Sequence, residues 1–172
     1  MTADFKGEMG KLADFFSKEE ARDVVGLIRA LGIDYEEAAM PAGDSGKIIR
    51  SGPGEYRIVV NRNEGPQRKR FTAAHELGHY LLHRHKLGVG EHLDRLFDEA
   101  RNRNEANPLD YKDEVQANRF AADVLMPRKV IEKYAAPNGS NYAELAQRFD
   151  VSRQAMKYRL INLGLRQPDP AG

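Results

Sequence analysis

The sequence predicts an α+β fold, and three observations support that expectation. Apolar residues recur at three- and four-residue steps over several stretches. Two short β-prone runs lie close together between residues 47 and 61. The length of 172 residues, 41% hydrophobic and 31% charged, suits one compact domain or one domain with a small appendage. No stretch approaches the ~18 apolar residues of a spanning helix. Met1-Thr2-Ala3-Asp4-Phe5-Lys6 has no apolar core of a secretory signal, so a cytoplasmic location is expected. Zero cysteines exclude disulfides, a cysteine nucleophile and thiolate metal sites; any metal must be held by the five histidines and the carboxylates. With 27 basic and 26 acidic residues the net charge is +1, which argues against bulk polyelectrolyte binding but permits a local basic patch.

In chain order, Leu12, Phe15, Phe16, Val24, Leu27, Ile28 and Leu31 give residues 11–32 the period of a helix, with Gly32 as its stop. Glycines and prolines then punctuate the chain around two strands, Lys47–Arg50 and Tyr56–Asn61, expected to pair antiparallel. Asn61–Arg70 reads as a polar loop whose Arg68-Lys69-Arg70 run faces solvent. A helix over Thr72–His85 follows, with Phe71, Ala74, Leu77, Gly78, Leu81 and Leu82 as its apolar stripe. His92–Ala100 is a candidate helix and Asn102–Asp110 a loop. The interval from Glu91 to Glu114 holds eight acidic and four basic residues, a net of −4. Asp113–Met126 is a further helix, ended by Pro127, and Pro137-Asn138-Gly139-Ser140 is a turn. Two short helices, Asn141–Phe149 and Ser152–Leu163, complete the chain before Gly164.

The chemistry concentrates at His75-Glu76-Leu77-Gly78-His79. Histidines at i and i+4 lie about one helical turn apart, so both imidazoles leave one face and can bridge a tetrahedral metal. Glu76 lies beside that face, placed to act on a water at the metal. A catalytic zinc normally takes three protein ligands. No His-x-x-Gly-x-x-His continuation follows. His83 is the next histidine in the row, but each i+4 step rotates by about 40°, so one ion is poorly reached from three turns of a straight helix. His83 is expected to buttress a neighbour or bind a carboxylate instead. On the next strong helix, Glu114, Ala117, Asn118 and Ala121 share a face, and the alanines permit close helix approach. Glu114 is favoured there as third ligand, with Asp113, Glu99, Asp110 and Asp123 left open, and Asn118 is placed to orient a ligand.

Arg70-Phe71-Thr72-Ala73-Ala74-His75-Glu76-Leu77-Gly78-His79-Tyr80-Leu81-Leu82-His83 is followed by Glu114-x-x-Ala117-Asn118-x-Phe120-Ala121-Ala122-x-x-Leu125-Met126-Pro127. These two blocks, with Ser45-Gly46-Lys47-Ile48 and Ile58-Val59-Val60-Asn61 upstream, resemble the ImmA/IrrE family of zinc metallopeptidases over about residues 20–165. The resemblance implies His75, His79 and Glu114 as ligands of one zinc ion and Glu76 as catalytic base. It implies a compact zincin-like α+β domain with a small antiparallel sheet beside the active-site helix. The implied substrate is a helix-turn-helix transcriptional repressor, cleaved in a stress response or in mobile-element induction. The long acidic interval after His83 departs from the usual layout and reads as a substrate-facing insertion. In the mechanism expected of such a site Glu76 takes a proton from the attacking water, and Tyr80, His83, Tyr111 and Tyr134 are candidate donors to the oxyanion.

Residues 1–137 are expected to form the peptidase core, and 138–172 a helix-turn-helix-like pair packed on it. In that pair Ala146, Val151 and Met156 sit at packing positions, Asp150 at the turn and Ser152 at an N-cap. Arg128–Arg166 holds eight basic and three acidic residues, a net of +5. Arg153, Gln154, Lys157 and Tyr158 are therefore candidate contacts to DNA or a partner. The rival expectation is a regulator that binds DNA or sequesters a repressor without proteolysis.

Overall fold

The structure is a computed structural model and describes residues 2–19, 22–94 and 108–171. It is a mixed α+β domain in which a small four-stranded sheet lies beside a central helix, with further helices around them. In chain order the elements are α1 (Thr2–Ser17), α2 (Val24–Ala30), β1 (Asp34–Ala38), β2 (Gly46–Gly52), β3 (Glu55–Asn61), α3 (Pro66–His83), β4 (Gly90–Asp94), α4 (Tyr111–Leu125), α5 (Arg128–Tyr134), α6 (Tyr142–Phe149) and α7 (Arg153–Asn162). The strand order is β1-β3-β2-β4.

The helix expected over 11–32 is two helices. The break is held by Arg22, whose buried guanidinium donates to Phe16 O (3.1 Å) and Lys18 O (3.1 Å) at the end of α1 and to Val124 O (2.9 Å). It thereby satisfies carbonyls that a helix C-terminus leaves orphaned. Asp23 then opens α2 by accepting from Gly26 N at 2.8 Å. Gly32, at φ +78°, closes it in the left-handed region as expected.

The two expected strands are β2 and β3, and they pair antiparallel with Ile48 opposite Ile58. The sheet as a whole is mixed, not antiparallel, because β1 pairs parallel with β3. β1 reads Asp-Tyr-Glu-Glu-Ala and shows no strand pattern. Its acids are tolerated because it is an edge, where Arg57 reaches Asp34 (3.6 Å) and Glu36 (3.5 Å) and Lys69 reaches Glu37 (2.7 Å). The helix expected over His92–Ala100 is also corrected. His92 and Leu93 belong to β4, which pairs antiparallel with β2, and residues 95–100 lie outside the described residues. Residues 95–107 of the proposed acidic insertion lie there too.

α3 begins at Pro66, six residues before the expected start. Proline at a first helical position loses no hydrogen bond. The Arg68-Lys69-Arg70 run is therefore helical and engaged. Arg70 donates to Arg22 O (2.7 Å), Phe149 O (2.9 Å) and Asp150 O (3.1 Å), joining the α1–α2 break to the α6–α7 turn.

α3 runs through the middle of the molecule, buried at every residue from Thr72 to Tyr80. Ile48, Ile58 and Val60 of the sheet join its Ala73, Ala74 and Leu77 in the core. Its other neighbour is α4, approached through small residues. A Cβ at Gly78 would stand 3.3 Å from Ala117 Cα and 3.0 Å from Phe120 Cδ1, so the two backbones pack closer than larger side chains would allow. Asp110 and Asp113 form a capping box at the start of α4. α5, for which the sequence carries no assignment, follows Pro127 directly. α6 and α7 match their expected bounds within a residue. Asp150 takes the left-handed turn (φ 51°), and Ser152 caps α7 by accepting from Ala155 N at 3.0 Å. Leu145, Phe149, Met156 and Leu160 join the same core cluster as α3 and α4.

Candidate metal centre

His75 and His79 project from α3 toward α4, and Glu114 projects back from the first turn of α4. His75 is fully buried, His79 is 1% exposed and Glu114 9%. The two Nε2 atoms lie 3.0 Å apart. Glu114 Oε2 is 3.1 Å from His75 Nε2, and Oε1 is 3.3 Å from His79 Nε2. Among the described residues this is the one group of three such side chains whose donor atoms all fall within 4.8 Å of one another.

The donor chemistry fits a metal. Donors at ~2.0–2.1 Å around a tetrahedral ion stand roughly 3.3 Å from each other, close to the spacing seen. His75 Nδ1 lies 2.9 Å from Asn118 Oδ1, an acceptor, so the ring carries its proton on Nδ1 and turns a lone pair on Nε2 toward the centre. Burial on its own raises the Glu114 carboxyl. With protons on the facing His75 and His79 rings, hydrogen bonds and positive charge outweigh burial and hold it well below the usual carboxylate range; a metal cation would take the place of those protons. An ionised carboxylate and imidazole lone pairs converging in a buried space call for a cation between them.

Glu76 is fully buried next to His75 but stands outside this trio. It faces the start of β2: a Cβ at Gly46 would stand 3.5 Å from Glu76 Oε1 and 2.5 Å from Thr72 Cγ2. Gly46 thus borders Glu76 in a way that periodicity does not reveal; its signals were a lone glycine entering a strand run and its place in the Ser45-Gly46-Lys47-Ile48 segment.

His83 is not in the trio. It meets His79 on the far side of the ring, Nδ1 to Nδ1 at 3.0 Å, and its Nε2 lies 2.8 Å from Gln116 Oε1 and 3.4 Å from Asp113 Oδ1. Gln116 and Asp113 were not distinguished from surface residues by the sequence, yet Asp113 is buried and paired with Lys86 at 2.8 Å. Of the other acids considered as ligands, Asp110 caps α4, Asp123 pairs with Arg159 (2.8 Å), and Glu99 lies outside the described residues. Among the oxyanion candidates, Tyr80 donates to Glu8 (3.2 Å) and Tyr134 lies under the Arg148 guanidinium (3.8 Å). Tyr111 is 68% exposed, one turn before Glu114.

The four residues expected to touch DNA or a partner lie on α7 in different surroundings. Arg153 is exposed. Lys157 pairs with Asp169 at 3.1 Å. Gln154, with Tyr158, lines a groove of about 820 Å³ against Arg68 and Phe71 of α3 and Met126 beyond α4.

Comparison with known proteins finds similarity to a peptidase family. The family model described as the IrrE N-terminal-like domain, a peptidase family, matches residues 29–161. The radiation response metalloprotease IrrE of Deinococcus deserti is 38% identical over 111 residues, which are 63% of this chain and 37% of that protein. Its counterpart from Deinococcus radiodurans is 31% identical over 144 residues, 72% of this chain and 42% of that protein. The metallopeptidase ImmA of Bacillus subtilis is 27% identical over 124 residues, 71% and 66% of the two chains. The chain therefore spans less than half the length of the two IrrE proteins it matches.

Proposed function

The chain belongs to the IrrE N-terminal-like family of peptidases, and from that premise we propose that it is a zinc-dependent endopeptidase that cleaves a helix-turn-helix transcriptional repressor. The observation that carries the enzymatic reading is the convergence of His75 Nε2, His79 Nε2 and the Glu114 carboxylate in a buried space beside Glu76. Two imidazoles and one carboxylate suit zinc. When bound, a zinc ion supplies Lewis acidity toward a water and the scissile carbonyl. Glu76 accepts the proton of the attacking water and delivers it to the departing amine nitrogen. Burial of Glu76 keeps that proton from exchanging freely with solvent.

The substrate class follows the family resemblance of the two motif blocks. Residues 1–137 serve as the peptidase core and 138–172 as a helical pair packed on it. The packing of the pair on the rest is supported by the shared core and by the Arg159 bonds to Met126 O (2.9 Å) and Asp123 (2.8 Å). No helix among the described residues is long and apolar enough to cross a membrane, and a chain acting on a transcriptional repressor works in the cytoplasm.

The test is incubation of the purified chain with helix-turn-helix repressors from its own source cell, with and without chelator. Defined fragments that disappear with chelator and return with zinc are expected. Release of the repressor from its operator without fragments contradicts proteolysis and supports sequestration. A mobility shift of DNA by this chain alone, weakening steeply with salt, supports the DNA-binding alternative.

A further inference from the structure

On the metal reading above, we propose that His83 is a positioning residue, fixing the tautomer and orientation of His79 through a directed hydrogen-bond chain that ends on α4. His79 turns Nε2 to the trio and Nδ1 to His83 Nδ1, 3.0 Å away. An imidazole that gives its Nε2 lone pair to a cation carries its proton on Nδ1. That proton needs an acceptor, and His83 Nδ1 can accept only if His83 is protonated on Nε2. The surroundings of His83 select that form. Its Nε2 faces Gln116 Oε1 at 2.8 Å and the Asp113 carboxylate at 3.4 Å, both acceptors. The ring is 3% exposed, so bulk water is a poor substitute for these partners.

The chain therefore has one direction, from His79 Nδ1–H to His83 Nδ1 and from His83 Nε2–H to α4. The reverse direction would put a proton on His79 Nε2, aimed at His75 and Glu114 where a lone pair is needed. Asp113 anchors the far end. Both its oxygens lie 2.8 Å from Lys86 Nζ, and it accepts the Asp110 backbone N–H at 2.9 Å in the capping box that starts α4. Glu114 is the next residue. His83 thus links the orientation of an imidazole on α3 to the placement of the carboxylate on α4.

The experiment measures zinc affinity of the full chain by competition with a chromophoric chelator, for the unsubstituted protein, His83→Leu and His83→Asn. Leucine fills much of the buried volume but accepts no hydrogen bond; asparagine places Oδ1 near where Nδ1 accepts. His83→Leu is expected to weaken zinc binding by about 10–100-fold, and His83→Asn to recover most of that loss. Leucine binding as tightly as histidine, or asparagine as poorly as leucine, overturns the proposal in favour of plain packing. Long-range ¹H–¹⁵N spectra of the unsubstituted, zinc-loaded chain test it without any variant. Protons on His79 Nδ1 and His83 Nε2 are expected, and a proton on His83 Nδ1 overturns the relay. If the unsubstituted chain binds no zinc, the metal reading fails first and the relay with it. That failure is distinct because it appears before any substitution.

Discussion

Glu76→Gln leaves the chain folded and able to load zinc, and lowers peptide hydrolysis by about 10²–10⁴-fold or more. Glutamine matches glutamate in shape, so the packing of Thr72 and residue 76 of α3 against Gly46 is kept. What it lacks is a site basic enough to accept the proton of water. Because Glu76 is not among the three converging donors, metal content stays that of the unsubstituted chain. Zinc per chain and fragment yield from one preparation check both halves. Hydrolysis at the unsubstituted rate removes Glu76 from the mechanism, and loss of zinc would move it into the ligand set.

Glu114→Ala fails in the opposite order. Removing the carboxylate takes from the two buried imidazoles the anion that faces them directly, and with it charge that balances a divalent cation. Zinc affinity is expected to fall by more than the roughly 10–100-fold typical of losing an outer hydrogen-bond partner, and hydrolysis falls with occupancy. High zinc restores part of the activity here, whereas it restores nothing in Glu76→Gln. Chelator competition followed by hydrolysis across a zinc titration separates the two. Unchanged affinity in Glu114→Ala would mean that the third donor lies elsewhere.

The parts of this site that were legible in the sequence are those fixed by local geometry. The i, i+4 spacing of His75 and His79 puts both rings on one face of any helix, whatever surrounds it. Ala117 and Ala121 pointed to a close helix contact, which the structure shows with Gly78 opposite Ala117; that face favoured Glu114 only modestly over the other acids, and its ligand role came from the family resemblance. Doubt about His83 as a ligand was also a local argument about helical twist, and the ring does stand outside the trio.

What stayed hidden depends on partners far along the chain. The break between α1 and α2 hinges on Arg22 reaching Val124 O, 102 residues away, while the apolar period runs on across it. β1 has no alternation to read, since an edge strand needs none when Arg57 and Lys69 balance its acids. β4 looks like the start of a helix through Leu93 and becomes a strand because β2 offers it a free edge. Asp113 and Gln116 acquire a role only when the end of α3 arrives beside them.

The most direct test is a crystal of the zinc-loaded chain measured on both sides of the zinc absorption edge. One anomalous peak is expected within ~2.0–2.2 Å of His75 Nε2, His79 Nε2 and a Glu114 oxygen. A map with no peak there, or an ion held by other side chains while Glu114 turns to solvent, contradicts the metal centre and the peptidase mechanism built on it.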